Sequence, residues 1–196
     1  KLIRGSGVKL EEFNQLDEAG GIPTVCFTAR LLVDKGLYDF VAAANLLKNR
    51  GVQARFCLAG DLDVKNPTGI NKKELNKLKE NKNIEVLGHQ KDMATLYAKS
   101  HVVCLPSYRE GLPKTLMEAA AASRAIVTTN VPGCRDAIIP NKTGLLVPVK
   151  DPKKLANAIQ WLIEHPKERI IMGKSGRQLS VRDFQIKKIN KKHLDI

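Results

Sequence analysis

The feature that most constrains the fold is a regular alternation of short apolar runs with segments of helical periodicity. The runs are apolar at consecutive positions, as expected of strands that are buried on both faces of a sheet. Six such runs are predicted to be strands, at residues 24–30, 55–60, 84–88, 101–105, 125–129 and 144–147.

Helical segments separate these runs. After the first run, Leu37, Phe40, Ala44 and Leu47 recur at the spacing of one helix face, and Gly51 marks the end of the helix. The predicted helices cover residues 36–50, 71–80, 93–99, 112–122, 152–164 and 166–179. The alternation predicts an α/β fold: a doubly wound, Rossmann-like parallel sheet of about six strands with helices on both faces.

The chain divides into three segments by composition. Its 196 residues suit one hydrophobic core. We predict an interdomain strand and linker at residues 1–22, the Rossmann-like domain at 23–180, and a basic C-terminal helix or tail at 181–196. A chain that opens within a strand-like segment suggests a piece of a longer protein.

The charge is strongly positive and unevenly spread. The net charge is +13, and residues 153–196 hold 11 Lys or Arg against 4 Asp or Glu. Such a surface favours nucleotides, nucleic acid or anionic lipid, although a solvated basic face is the commoner explanation. Aromatic residues make up only 5% of the chain, which is few for a surface that stacks nucleic-acid bases.

The sequence gives no signal for secretion or for a membrane span. No apolar run is long enough to cross a bilayer, and the first residues lack a signal-peptide pattern. The cysteines have no CxxC spacing, so we expect buried, reduced thiols in preference to disulfides or metal ligands. They are Cys26, Cys57, Cys104 and Cys134.

Two glutamates flank the predicted start of a helix. Glu110 lies in the turn after the fourth strand, and Pro113 suits the first helical position. Glu118 is then five residues along the helix, roughly 7.5 Å away at 1.5 Å per residue, and leans back toward the same turn. The helix start between them favours a phosphate, so a sugar–diphosphate–sugar ligand such as a nucleotide-sugar would suit the site. In the alternative reading, Glu118 is an exposed helix residue and Glu110 a capping acid.

Polar side chains also follow the first two strands. Arg30 and Lys35 come after the first strand, where they can neutralise a diphosphate or else be ordinary surface cations. Asp61 and Asp63 follow the second strand in an Asp-x-Asp pattern that resembles a metal site. We favour a hydrophilic loop entry for this pair and therefore predict no metal ligand.

Taken together, these segments resemble the donor-binding, C-terminal half of a family 4 glycosyltransferase of the GT-B fold, in the style of bacterial lipopolysaccharide and capsule enzymes. The resemblance covers nearly the whole chain, and its motifs occur in order at the expected spacings. They are Gly5–Val8, Ala29–Leu31 with Lys35–Gly36, Ala59–Gly60, Pro106–Ser107, Glu110–Pro113, Glu118–Ala119, Val131–Gly133 and residues 144–147.

The resemblance implies a role for each matching residue. It places the diphosphate on Arg30, Lys35 and the helix start, ribose on Glu118 and the transferred sugar on Glu110, the expected catalytic residue. The helix-start residues are Leu112, Lys114 and Thr115, and the base is expected at Gly88, His89 and Gln90. Ser123 departs from the family, in which glycine is usual; a positive φ there would strain it mildly.

The resemblance further implies a retaining reaction without metal or other cofactor. For the donor we expect a UDP-sugar. It places the acceptor, a lipid-linked or other glycan, on an N-terminal domain absent from this sequence, so we expect the fragment alone to be inactive. The expected location is the cytoplasm, and peripheral association with the inner face of an anionic cell membrane is a further expectation. Two alternatives remain: a nucleotide-sugar epimerase of the same architecture, and a basic nucleic-acid-binding domain.

Overall fold

The computed structural model describes residues 7–13 and 17–189. The strands are β1 (Thr24–Thr28), β2 (Arg55–Ala59), β3 (Glu85–Gly88), β4 (Val102–Leu105), β5 (Ala125–Thr129) and β6 (Gly144–Val147). The α-helices are α1 (Leu37–Asn49), α2 (Lys72–Glu80), α3 (Met93–Ala98), α4 (Lys114–Ala121), α5 (Pro132–Asp136), α6 (Pro152–Glu164) and α7 (Pro166–Leu179). The prediction of six strands is confirmed.

The strands form one parallel sheet in the order β3-β2-β1-β4-β5-β6. Helix α1 packs against α6, and α4 packs against α7. Every residue of β4 and β5 is buried, which explains why these runs are apolar at consecutive positions. The predicted doubly wound, Rossmann-like architecture is therefore confirmed. Among the described residues, no helix combines the length and apolar character that a membrane crossing needs.

Large side chains from both strands and helices fill the core beneath α1. The ring of Phe40 lies 5.6 Å from that of Phe27 on β1 and 6.1 Å from that of Phe56 on β2, measured between centroids. All three are at most 2% exposed, so the periodic apolar positions of α1 do face the sheet. Such aromatic pairs fix the helix over the strands that carry the polar turns.

Two local predictions are corrected by the structure. Helix α5 at Pro132–Asp136 is absent from the set of predicted helices. Pro113, expected at the first helical position, is the N-cap of α4, with extended backbone at φ −70° and ψ 122°. That correction moves the helix start one residue along the chain.

The two ends of the described chain meet. Val8 forms a parallel bridge with Gln185, which follows a π-helical turn at Ser180–Phe184. The backbone N–H of Val8 donates to Phe184 at 2.8 Å, and that of Ile186 donates to Val8 at 3.0 Å. The remainder of the predicted opening strand, residues 1–6, and of the basic tail, residues 190–196, lie outside the described residues.

Candidate functional site

The sheet order reverses between β1 and β4, the point at which parallel sheets open a crevice at the carboxyl ends of their strands. The loop after β1 and the loop after β4 lie next to each other there. Gly36, with φ 73°, sits so close to Pro106 that a Cβ atom would come within 2.1 Å of the Pro106 carbonyl oxygen. Only glycine allows this approach of the two loops.

Backbone hydrogen bonds hold the two loops together. The carbonyl oxygen of Asp34 accepts from the backbone N–H of Tyr108 at 2.8 Å and from Ser107 Oγ at 3.0 Å. Consequently Lys35 meets Glu110, with 2.5 Å between Nζ and Oε1. The Lys35 and Glu110 side chains are 22% and 9% exposed, so Lys35 is less exposed than in the alternative of an ordinary surface cation.

Helix α4 presents its N-terminus to this crevice. No side chain of the described residues caps that end, so its first backbone N–H groups are free to meet an anion. Thr115 Oγ1 donates to the carbonyl oxygen of Thr28 at 2.9 Å, which ties the helix start to the end of β1. Lys114 Nζ lies 3.3 Å from Glu118 Oε1 on the same helix.

Glu118 is buried, with 8% of its surface exposed, so the alternative reading of an exposed helix residue is wrong. Burial raises the pKa of Glu118, and its contacts with Lys114 and Tyr97 oppose that shift. The hydroxyl of Tyr97 lies 3.3 Å from Glu118 Oε2. A carboxylate held in this way keeps acceptor positions for hydroxyl groups of a ligand.

A cavity of about 290 Å³ lies beside these groups. Six of the predicted site residues line it: Arg30, His89, Gln90, Lys114, Thr115 and Glu118. The other six lining residues are Thr28, Ala29, Ala59, Gly60, Asp61 and Met93. Lys35, Glu110 and Leu112 do not line it, and Gly88 lines an adjoining cavity of about 610 Å³ that shares Gly60 and Asp61 with the first.

Aspartates of the loop after β2 bind two of the predicted ligand-binding residues. Arg30 NH1 donates to Asp63 Oδ2 at 2.5 Å, and His89 Nδ1 lies 2.6 Å from Asp61 Oδ2. The loop entry is hydrophilic, as predicted, but its carboxylates are partners of predicted site residues. Among residues 7–13 and 17–189, no group of three His, Cys, Asp or Glu side chains is placed to hold a metal ion.

Sequence reasoning missed Thr28, Met93 and Tyr97. Thr28 is the last residue of β1, and the rule that ligands bind beyond strand ends could have indicated it. Tyr97 lies among apolar residues of α3, and that pattern does not distinguish it from a core residue. The four cysteines are buried and free, as expected.

Comparison with known proteins gives a family match over most of the chain. The model of the family described as glycosyl transferases group 1 matches residues 8–179.

Two curated bacterial proteins are similar in sequence. The Staphylococcus aureus capsular polysaccharide biosynthesis glycosyltransferase CapM is 26% identical over 182 residues, which cover 88% of this chain and 47% of CapM. The Campylobacter jejuni N,N'-diacetylbacillosaminyl-diphospho-undecaprenol alpha-1,3-N-acetylgalactosaminyltransferase is 34% identical over 156 residues, which cover 80% of this chain and 39% of that enzyme. The chain thus spans less than half the length of either relative.

A solved structure shares the fold. Anabaena HepE, crystallised in complex with UDP and glucose, superposes with a TM-score of 0.81 at 17% identity, covering 96% of this chain and 54% of HepE.

Proposed function

This chain belongs to the glycosyl transferases group 1 family, as a domain related to bacterial capsule transferases, and from that premise we propose that it binds the nucleotide-sugar donor. The observation that carries the proposal is the cavity at the β1–β4 switch point, where an uncapped helix start meets a buried carboxylate. Such a crevice is where doubly wound sheets bind nucleotides.

Each part of a donor has a matching group. Glu118 accepts hydrogen bonds from ribose hydroxyls, since its carboxylate is held by Tyr97 and lies at the cavity wall. The diphosphate lies over the N-terminus of α4, near Lys114 and Thr115, with Arg30 and Lys35 as additional cations. The donor's base lies toward Gly88, His89 and Gln90, and its sugar toward Leu112 and Glu110.

The donor that we favour is a UDP-sugar. HepE, which shares the fold, was crystallised with UDP and glucose. His89 Nδ1 contacts Asp61 and Gln90 Nε2 donates to backbone carbonyl oxygens, so His89 Nε2 and Gln90 Oε1 are the atoms at the cavity wall that can pair with a pyrimidine edge.

The proposed reaction is a retaining transfer without metal. An acceptor hydroxyl attacks the anomeric carbon, the bond from that carbon to the diphosphate oxygen breaks, and the diphosphate leaves with the electron pair and a proton from the acceptor. Arg30, Lys35 and the start of α4 stabilise the charge that develops on the leaving group, the role that a metal ion plays elsewhere. Glu110 contacts the transferred sugar.

The acceptor that we propose is a lipid-linked or other glycan of the cell envelope. The Campylobacter relative is named for a diphospho-undecaprenol acceptor, and this chain covers only 39% of it. We therefore assign the acceptor site to an N-terminal domain outside this sequence. Without the second wall of the cleft, positioning worth roughly 7–11 kcal/mol of barrier is lost, so this chain alone is expected to transfer no sugar.

An anionic membrane surface is the proposed location of the reaction, at the cytoplasmic face. The exposed apolar residues Ile170, Ile171 and Val181 occur in the stretch that carries the basic excess of residues 153–196. Sedimentation with phosphatidylglycerol vesicles at low salt should exceed that with phosphatidylcholine vesicles and fade as salt rises. Equal sedimentation with both would remove this part of the proposal.

Calorimetry tests donor binding. The chain is titrated with UDP, GDP and ADP at up to millimolar ligand, with EDTA present. We expect UDP to bind, with an affinity unchanged by EDTA. The absence of binding by all three nucleotides would refute the proposed site, and a tenfold loss in EDTA that manganese restores would refute metal independence and redirect attention to Asp61 and Asp63.

A further inference from the structure

Tyr97 is a buried polar group next to the proposed ribose site. It lies on α3 and is 0% exposed, and its ring packs 6.1 Å from that of Phe13. Tyr97 does not line the cavity, but its hydroxyl contacts two residues that do. It lies 3.3 Å from Glu118 Oε2 and 3.2 Å from Thr28 Oγ1. A tyrosine hydroxyl at such depth requires hydrogen-bond partners, and both of these partners line the cavity.

The direction of these hydrogen bonds follows from chemistry. An ionised carboxylate only accepts, so Tyr97 donates to Glu118. The Tyr97 oxygen can then accept the hydroxyl hydrogen of Thr28. The resulting chain runs from Thr28 through Tyr97 to Glu118 and fixes the orientation of the carboxylate.

The other contact of the carboxylate is looser. Lys114 approaches Glu118 Oε1 at 3.3 Å, but its side chain is 69% exposed and is therefore free to turn toward solvent or a phosphate. Tyr97 is enclosed in the core, so its hydroxyl cannot move away. Tyr97 is the rigid donor of the pair, and its hydrogen bond opposes the increase in the pKa of Glu118 that burial and, to a smaller extent, the charge of Glu12 cause.

We propose that Tyr97 is a positioning residue for nucleotide recognition: it holds Glu118 as an oriented carboxylate that accepts the ribose hydroxyls. This inference rests on the proposed donor site. It assigns Tyr97 a role in telling ribose from deoxyribose, beyond filling the core between α3 and α4.

The experiment compares UDP with 2′-deoxy-UDP by calorimetry. The unaltered chain should prefer UDP by about tenfold, the size of one hydrogen bond to a charged group. Tyr97→Phe should reduce that preference to about twofold while binding of 2′-deoxy-UDP changes little. Tyr38→Phe is the matched control, because Tyr38 also donates to a glutamate, Glu74 at 2.7 Å, but lies outside the cavity. The Tyr38→Phe variant should prefer UDP over 2′-deoxy-UDP as strongly as the unaltered chain does.

The pH dependence separates positioning from packing. Removing the hydroxyl removes a hydrogen bond that favours the charged form of Glu118, so the pH below which the ribose preference disappears should move upward in Tyr97→Phe. Glu118→Gln should abolish the preference, and adding Tyr97→Phe to it should cause no further loss. A core role alone would weaken both nucleotides equally and leave the pH profile in place.

A second variant covers the case in which Tyr97→Phe does not fold. Thr28→Val removes the hydroxyl that donates to Tyr97 and should reduce the ribose preference, whereas Thr28→Ser should keep it. An unchanged preference and pH profile in Tyr97→Phe, or in Thr28→Val if Tyr97→Phe is unfolded, would overturn the Tyr97 proposal alone. Absence of nucleotide binding by the unaltered chain would overturn the donor site and the Tyr97 proposal with it.

Discussion

Lys35 Nζ lies 2.5 Å from Glu110 Oε1, and this ion pair joins the loop after β1 to the loop after β4. Both residues are assigned to the donor in the proposed function, one to the diphosphate and the other to the sugar. In the absence of a ligand they neutralise each other. Donor binding must therefore exchange one charge-assisted contact for another, which predicts a modest affinity for the nucleotide alone.

The ion pair should stabilise the fold. Lys35→Met leaves a carboxylate that is 9% exposed without its cation, so the free energy of unfolding should fall by about 1–3 kcal/mol in urea denaturation. Arg30→Met should cost less than about 1 kcal/mol, since the Arg30 side chain is 58% exposed. Adding Glu110→Gln to Lys35→Met should recover part of the loss. Equal effects of both single variants would contradict this interpretation.

Diphosphate recognition should depend on the same cations. Arg30→Ala and Lys35→Ala should each weaken UDP binding by roughly 1.5–3 kcal/mol and leave uridine binding unchanged, because only the diphosphate meets them. Arg50→Ala is the matched control: Arg50 is an exposed arginine that pairs with Asn157 and Gln160 of α6. If the Arg30 and Lys35 variants bind UDP as tightly as the Arg50 variant, the phosphate site lies elsewhere.

Replacing Glu118 should stabilise the fold and weaken nucleotide binding. Burial raises its folded-state pKa above the unfolded value, so its contribution to stability is complete below the unfolded pKa and is lost as pH rises through the folded pKa. Glu118→Gln should therefore unfold at higher urea than the parent at pH 7.5, with a smaller difference at pH 4, while binding less UDP. If Glu118→Gln is instead more stable relative to the parent at pH 4 than at pH 7.5, the folded-state pKa of Glu118 is lowered and not raised.

Ser123 should be a strained position. It has φ 60°, and its buried Oγ has no hydrogen-bond partner among the described residues. The condition under which the sequence analysis expected strain, a positive φ at this position, is therefore met. Ser123→Gly should stabilise the chain by about 1 kcal/mol in urea denaturation, because glycine adopts this backbone without cost. Ser123→Ala keeps the strained backbone and should stabilise less; the reverse order would argue against backbone strain.

Gly133 should position the loop that carries Glu110. A Cβ atom on Gly133 would lie 1.5 Å from the carbonyl oxygen of Gly111, so Gly133→Ala must displace that loop. We expect a loss of about 1–3 kcal/mol in stability together with weaker binding of a UDP-sugar. Gly176→Ala on α7, where the nearest atom is 3.5 Å away, is the control and should be neutral or slightly stabilising. A Gly133→Ala variant as stable as the control would contradict the close contact.

The sheet could be predicted because its signals are local. Each strand is a short apolar run, and burial on both faces leaves no other reading of β4 and β5. Helix α5 was missed because Pro132–Asp136 is a single turn with two poor helix formers, Pro132 and Gly133. Gly133 lies against the backbone of Gly111, and such contacts between distant segments leave no local pattern in the sequence.

Candidate site residues could be predicted only where they belong to a local sequence motif. Lys114 and Glu118 stand out because the start of α4 places them together, whereas Glu110 precedes that helix and does not line the cavity. The pairs Arg30–Asp63 and His89–Asp61 join residues that are 33 and 28 positions apart, and only the parallel sheet brings their loops to one edge. Tyr97 gave no signal, since an aromatic residue on an apolar helix face is usually core.

The most direct test of the account is a crystal structure of this chain with UDP. The account predicts the ribose hydroxyls within hydrogen-bond distance of Glu118, the diphosphate over the backbone N–H groups at the start of α4, and Arg30 or Lys35 turned from its aspartate or glutamate partner toward the phosphates. UDP bound away from this cavity, or bound within it with the ribose remote from Glu118, would contradict the central claim.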